Sequence, residues 1–528
     1  MQSIELGTKT SYDEIPYESH PFPQSHPDRL ATVGRIFGMN PAPVTKCRVL
    51  ELGCASGGNL IPMAFNLRDS DFLGVDLSVQ ETTIGQATIQ GLGLPNIRIA
   101  HASILDIDKS WGQFDFIISH GVYSWVPQNI QEKMLAICSD NLNPSGIAYI
   151  SYNTYPGWHM REAIRRMMTY HIGQFSDNRQ RLQQARALIE FLANSVPTDN
   201  SPYGMLLKSE LEIVKKSQDY YLFHDHLEEV NLPVYFHQFA ERAAVAGLQY
   251  LGEADFSVML TSGFSPEVKE TLQRISPNII NTEQYMDFLR NRFFRQTLLC
   301  HHDVALKRNL GGESVSNLLF ASAAQPLDHP VDLTAHKKVS FRTPDGASIE
   351  TNRPLTKAVF LVLREYWPRA INLDTLLGEA YRKLDGGGLL AGALENSSIL
   401  AADLLQCYSA RVVELHTWQA DFVTKASERP QVTKLAAYFI AQGKNIVANQ
   451  RHEAVSLNAV EQQLVGFLDG SKDRAAMEEH FFDLVQRGKL TANRDGSIIT
   501  NPDQVRAILD AALDAALEKM ASASLFCE

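Results

Sequence analysis

The sequence predicts an α/β domain over residues 46–175, then a mainly helical middle region and C-terminal winged-helix-like α+β and helical modules. Three observations carry this expectation. From Cys47 to about residue 150, short apolar runs (CRVLEL, FLGVDL, IRIA, FDFIIS, GIAYIS) alternate with helical stretches such as GNLIPMAFNL, the sequence form of a parallel sheet covered by helices on both faces. Beyond about residue 175 that alternation stops, and long helical patterns take over in RQRLQQARALIEFLANSV and TEQYMDFLRNRFFRQTLLCHH. The last hundred residues carry a helix-turn-helix pattern in VSLNAVEQQLVGFLDGSKDRAAMEEHFFDLVQRGKL.

At 528 residues the chain exceeds a single core and predicts several domains. Residues 1–45 are rich in proline, histidine and aromatics, which fits neither helix interiors nor central strands, so they form an N-terminal arm. Residues 176–325 form the helical region. In its second long pattern Asn281 can cap the helix, with Gln284 at the third helical position as in a capping box. Residues 326–415 begin with a polar break, and KKVSFRTPDGASIETN predicts a hairpin around Pro344-Asp345-Gly346. Two helices, LTKAVFLVLREYW and LDTLLGEAYRKL, complete a winged-helix-like module, and Gly386, Gly387 and Gly388 form a hinge or loop. Residues 416–528 form a helical module whose helix-turn-helix lacks a basic recognition face, so DNA binding is not expected.

Composition excludes several classes. With 45% hydrophobic and 20% charged residues the chain has the balance of a folded enzyme. The 48 basic and 60 acidic residues give a formal charge of −12, which repels a phosphate backbone, argues against a stable nucleic-acid partner, and serves solubility more often than it serves a basic protein substrate. Six cysteines are scattered without a C-x-x-C pair, so neither a zinc site nor a disulfide framework is expected. The opening MQSIELGTKTSYDE has neither a basic cluster nor an apolar run, and no stretch reaches about 18 apolar residues. A cytoplasmic protein without membrane insertion is therefore expected. His224-Asp225-His226, His237 and His301-His302 match no zinc spacing and predict surface or capping roles, with no metal.

The strongest local signal is Val49-Leu50-Glu51-Leu52-Gly53-Cys54-Ala55-Ser56-Gly57-Gly58-Asn59, a strand running through a small-residue turn into a helix. Glycines there let the backbone approach a ligand, and the helix start offers unpaired N–H donors. A dinucleotide site needs a second glycine where Ala55 stands, and its methyl crowds a pyrophosphate. The next strand ends at Asp76, 23 residues after Gly53, where a carboxylate can accept from two ribose hydroxyls. Near the end of the third strand Ser103 and Asp106 are candidates for an adenine amino group. All three strand ends meet at the carboxyl edge of the sheet and point to a nucleoside ligand.

VLELGCASGGN, FLGVDLS, HASILDI and FDFIISHGVYSWVP resemble the successive motifs of class I, Rossmann-like S-adenosylmethionine methyltransferases, whose turns tolerate alanine at position 55. The arm YDEIPYESHPFPQSHPDRLA, SYNTYPGWHMREAIRRMM and the middle helices further resemble bacterial methyltransferases with a methyltransferase regulatory domain. These include rickettsial protein-lysine methyltransferases that modify an outer-membrane protein. The likeness covers roughly residues 11–310 and implies S-adenosyl-L-methionine as cofactor, a homodimer, and a protein acceptor such as a cell-envelope protein, with lysine as the first choice. It also implies a cofactor site of Glu51, Gly53, Ala55, Gly57, Asn59, Asp76, Leu77, Ser103, Asp106, His120 and Tyr12. Where many relatives carry aspartate beside adenine this chain has Ser103, which leaves that contact to Asp106 or nearby backbone. RNA or a small metabolite as acceptor, and a nonenzymatic cofactor-binding scaffold, are the competing readings.

A sulfonium methyl is already activated, so alignment can supply effective molarities of about 10⁵ to 10⁸ M without a triad or metal. A lysine acceptor must first lose a proton, at about 4.6 kcal/mol for pH 7. Aromatic walls next to a cation lower that cost. The chain offers Tyr12, Tyr17 and Phe22 in the arm, His120, Tyr123 and Trp125 after the fourth strand, and Tyr152, Tyr155 and Trp158 after the fifth. Of these, His120, Tyr123 and Trp125 are the catalytic candidates, His120 as proton acceptor or as hydrogen-bonding wall.

Overall fold

The computed structural model describes residues 19–261, 263–385, 393–494 and 497–527. Tyr12, Tyr17 and the glycine triplet at 386–388 lie outside the described residues. One sheet holds β1 (Arg48–Leu52), β2 (Asp71–Asp76), β3 (Ile97–His101), β4 (Phe114–Ser119), β5 (Leu142–Asn153), β6 (Leu248–Glu253) and β7 (Phe294–His301), in the order β3-β2-β1-β4-β5-β7-β6. Strands β1 to β5 pair in parallel, while β7 runs antiparallel between β5 and β6. Because side chains alternate across a strand, neighbouring residues enter opposite cores. Val49, Phe116 and Ile118 join one hydrophobic cluster, and Leu50, Leu52 and Ile117 join the other. Both faces of the sheet are therefore buried, as the apolar runs predict.

The middle region departs from its helical expectation. Its second long pattern is helical only over Ile279–Arg290, capped by Asn278, whose side chain accepts from Asn281 N–H at 3.0 Å, rather than by Asn281 itself. Asn291, at φ 48°, ends that helix in the left-handed region, and FRQTLLCH then forms β7. Residues 248–301 thus complete the sheet. Arg295 of β7 is fully buried. Its guanidinium meets Glu253 of β6 together with Asp287 (2.8 Å) and Glu283 (3.1 Å) of the preceding helix, pinning three elements to one another.

Between β5 and β6 the helices Gly157–Ile172, Asn178–Ser195, Pro202–Lys216 and Asp219–His226 enclose a core of their own around Ile164, Leu182, Leu207 and Phe223. His224 and His226 are buried there beside Glu228 and Glu210, at 3.6 and 3.9 Å, not on the surface as expected. His301 lies 2.9 Å from the Leu142 carbonyl. Among the described residues no group of three or more His, Cys, Asp and Glu side chains is arranged to hold a metal ion, and no helix is long and apolar enough to cross a membrane.

Toward the C-terminus the predicted hairpin forms between Val339–Arg342 and Ser348–Thr351, with Gly346 at φ 96° in its turn. The helices Pro354–Tyr366 and Leu373–Asp385 follow. The helix-turn-helix pattern becomes Ala459–Val465 and Arg474–Gln486, with a short hairpin pairing Arg494 and Ser497 after it and the long helix Pro502–Ser522. Residues 414–418 grip the N-terminal helix Pro27–Ile36. Asp28 accepts from the N–H groups of Thr417 (2.7 Å) and Trp418 (2.9 Å), and Arg29 pairs with Glu414 at 2.8 Å.

Candidate active site

The turn after β1 is made by backbone in the left-handed region, with Gly53 at φ 72°, Ala55 at 46° and Gly57 at 78°. A Cβ on Gly53 would lie 2.5 Å from Val122 Cγ2, and one on Gly57 2.6 Å from Ile99 Cδ1, so both positions exclude side chains twice over. Ala55 holds its conformation with help from β2. Its N–H donates to Asp76 Oδ2 at 2.8 Å, while Ser78 N–H donates to Oδ1 at 2.9 Å. The half-exposed Asp76 carboxylate thereby ties the end of β2 to the glycine turn, and Leu77 offers its carbonyl to His101 Nε2 at 3.0 Å.

Behind the turn, Asn59 joins three segments. Its Nδ2 donates to Glu51 Oε1 at 2.7 Å, and its Oδ1 accepts from Phe22 N–H of the arm at 2.9 Å. Oδ1 also meets His452 Nε2 at 2.8 Å. Glu51 is buried, its Oε2 has no hydrogen-bond partner among the described residues, and burial pushes its carboxyl up to about 8. The arm crosses the turn at Gly58, whose N–H donates to Ser19 Oγ at 2.9 Å and where any Cβ would strike the Ser19 backbone.

His120 follows β4 directly. Its ring stacks on Phe22 with centroids 3.8 Å apart, and Nδ1 lies 2.8 Å from the Tyr149 hydroxyl. Desolvation by these neighbours pushes His120 down to about 4, so the imidazole is neutral near pH 7. The structure separates the other two aromatic candidates from it. Tyr123 is fully buried between Tyr152 and Phe239, at 5.9 and 5.3 Å, and packs the core. Trp125 sets its edge against Trp158 at 6.1 Å. Ser103 and Asp106 cap each other. Asp106 Oδ2 accepts from Ser103 N–H at 3.0 Å, and Ser103 Oγ accepts from Leu105 N–H at 3.2 Å, which shapes the turn after β3.

Three family models match the chain: a methyltransferase domain over residues 49–146, a predicted methyltransferase regulatory domain over 218–301, and the C-terminal winged helix domain of PKMT over 428–525. An uncharacterized protein of Rickettsia prowazekii is 36% identical over 538 residues, spanning 99% of this chain and 96% of that one. PKMT2 from Rickettsia typhi, solved in complex with AdoHcy, superposes with a TM-score of 0.87 at 31% identity, covering 97% of this chain and 100% of its own. The chain belongs to the PKMT family of methyltransferases.

The residues present fit an S-adenosyl cofactor of the kind that PKMT2 holds as AdoHcy. The turn offers backbone close enough for a ligand to approach, and the orphaned, buried Oε2 of Glu51, on the carboxyl that burial keeps protonated near pH 7, is a polar group awaiting a partner. The winged-helix match falls on the last hundred residues, where the sequence alone suggests a helical module rather than on residues 326–415, and the regulatory match takes in β6 and β7. Four contacts escape sequence reading: Ser19, Ser25, whose Oγ accepts from Asn59 Nδ2 at 3.1 Å, Tyr149 and His452. A hydroxyl in an irregular arm carries no pattern, and neither does a histidine whose partner is distant in the chain.

Proposed function

We propose that this methyltransferase transfers a methyl group by direct displacement to a lysine amine of a protein, acting in the cytoplasm as a homodimer on an acceptor such as a cell-envelope protein. One observation carries the reading. The likeness to rickettsial PKMT2 runs through the regulatory region and winged helix as well as the cofactor domain, and acceptor choice is made outside the nucleotide site.

In this reading Asp76, beside Leu77, holds the ribose hydroxyls. Gly53, Ala55 and Gly57 line the methionine portion, with Glu51 and Asn59 behind it, and the turn of Ser103 and Asp106 faces adenine. When bound, the cofactor supplies an activated methyl on a positively charged sulfur. What the chain supplies is exclusion of water and alignment. The Phe22–His120 stack forms an aromatic wall next to the glycine turn, and a water-poor wall beside a cation favours the free amine over its ammonium form. A ring held at about 4 is too weak a base to keep the lysine proton. His120 therefore serves as a hydrogen-bonding wall, and the proton leaves to solvent. Tyr123, packed in the core against Tyr152 and Phe239, and Trp125, set against Trp158, take no part in this wall.

Purified protein, labelled methyl donor and cell-envelope extract test this. The label should be lost on protease digestion, survive ribonuclease, and run as methyl-lysine after acid hydrolysis. Label in RNA or in a low-mass fraction would replace the protein acceptor with one of the alternatives, and no label at all would favour a cofactor-binding scaffold.

A further inference from the structure

The winged-helix domain sends one side chain, His452, to Asn59 behind the glycine turn. His452 sits in the loop joining Ile446–Ala448 to Ala454–Ser456, and that loop is fixed from several sides. Asn449 Oδ1 accepts from the N–H groups of Arg451 (2.9 Å) and Glu453 (2.8 Å), while its Nδ2 donates to the Ala523 carbonyl at 2.9 Å. Gln450 Nε2 donates to the Phe526 carbonyl at 2.8 Å, and the Arg451 guanidinium lies over the Trp367 ring at 4.3 Å. So anchored, His452 takes a left-handed backbone (φ 61°), which side chains rarely adopt, and its ring is only 2% exposed.

The hydrogen-bond roles at Asn59 are forced. Its Oδ1 faces the Phe22 N–H, which can only donate, and its Nδ2 faces Glu51 Oε1 at 2.7 Å. The oxygen therefore points at His452, and Nε2 must carry the hydrogen across the 2.8 Å contact. His452 Nδ1 has no partner among the described residues, which agrees with a neutral ring bearing a single proton. Strained backbone persists where its surroundings over-determine it and often marks a functional contact.

We infer that His452 is a positioning residue for the cofactor: its bond to Asn59 lets the winged-helix domain fix the amide that orients Glu51 and the arm, so domain docking sets cofactor affinity. The inference rests on the place given above to Glu51 and Asn59 in the cofactor site.

The test is calorimetric titration of the full chain with S-adenosylhomocysteine, alongside thermal unfolding. His452→Phe keeps a ring and removes the donor, and should weaken binding about tenfold, the size of one buried hydrogen bond. His452→Gln returns an N–H near the same point and should restore affinity to within about twofold, a rescue that packing alone would not give. His452→Asn tolerates the left-handed backbone but is too short to reach Asn59, so it should repeat the loss even if the phenylalanine variant fails to fold. Binding unchanged in both His452→Phe and His452→Asn overturns the inference, as does an equal loss in the Gln variant. Asn59→Ala separates the two levels. If it alone loses affinity, only the His452 link falls, whereas if it too binds normally, the placement of Asn59 falls with it.

Discussion

Replacing Asp76 with alanine removes the carboxylate that receives the N–H groups of Ala55 and Ser78, at 2.8 and 2.9 Å. Cofactor binding then loses the two ribose hydrogen bonds assigned to Asp76, and the turn loses the brace that keeps Ala55 at φ 46°. Hydrogen bonds to a charged group contribute about 1.5 to 3 kcal/mol each. Asp76 is half-exposed, so the lower figure applies, and two such bonds give about 3 kcal/mol, or about 150-fold in Kd. Asp76→Asn keeps one acceptor oxygen but sets its NH2 against the N–H of Ala55 or Ser78, so it should lose at least half that energy, about tenfold or more. Titration calorimetry with S-adenosylhomocysteine at pH 7, with thermal unfolding to confirm the fold, measures both. An alanine variant that binds within threefold of the parent, or an asparagine variant that binds as tightly as the parent, would refute the reasoning.

Three further outcomes follow from the site and its supports. Glu51 is raised from 4.5 to about 8, so between those values the unfolded chain is ionised while the folded chain keeps a proton; stability contributed below 4.5 is lost as pH rises through 8, and Glu51→Gln should flatten that slope in melting temperature. Identical slopes would show that Glu51 ionises normally. His120→Phe should cost about tenfold or less in the initial rate of label transfer, against the 10² to 10⁴ expected of a general base, and a thousandfold loss with unaltered cofactor binding would reassign His120 as the proton acceptor. Arg295→Met leaves Glu253, Glu283 and Asp287 without their central cation and should destabilise the fold by about 3 to 5 kcal/mol, read from denaturant unfolding; an unchanged midpoint would mean that these carboxylates are protonated.

The parallel half of the sheet was legible because each strand is an apolar run bounded by turn residues, and Gly53, Gly57 and Asp76 were legible because their spacing follows from strand and turn geometry. β7 was not. FRQTLLCH continues a helical pattern without proline or glycine, and only Asn291 in the left-handed region breaks it. Side-chain direction was the second obstacle. His120 and Tyr123 follow the same strand, yet the short helical turn Tyr123–Trp125 sends Tyr123 into the core, and aromatic character does not tell the two sides apart. Ser103 and Asp106 have the S-x-x-D spacing of a mutual cap, a local signal that competes with ligand binding. His452 had no local signal, since its partner stands 393 residues away in the chain.

The position of β7 has a consequence for synthesis. β5 is buried from Gly146 to Asn153, but the strand that covers one of its edges is not made until residues 294–301. At about 5 to 20 residues per second, the ribosome leaves that apolar edge open for about 7 to 30 seconds. The helices from Gly157 to His226 can settle around their own core meanwhile, but they supply no strand to shield it. An open, apolar edge is a template for pairing with another chain. Nascent polypeptides of this protein therefore pass through a window in which crowding on one messenger favours aggregation, and a chaperone that shields β5 until His301 emerges would raise the yield of folded molecules.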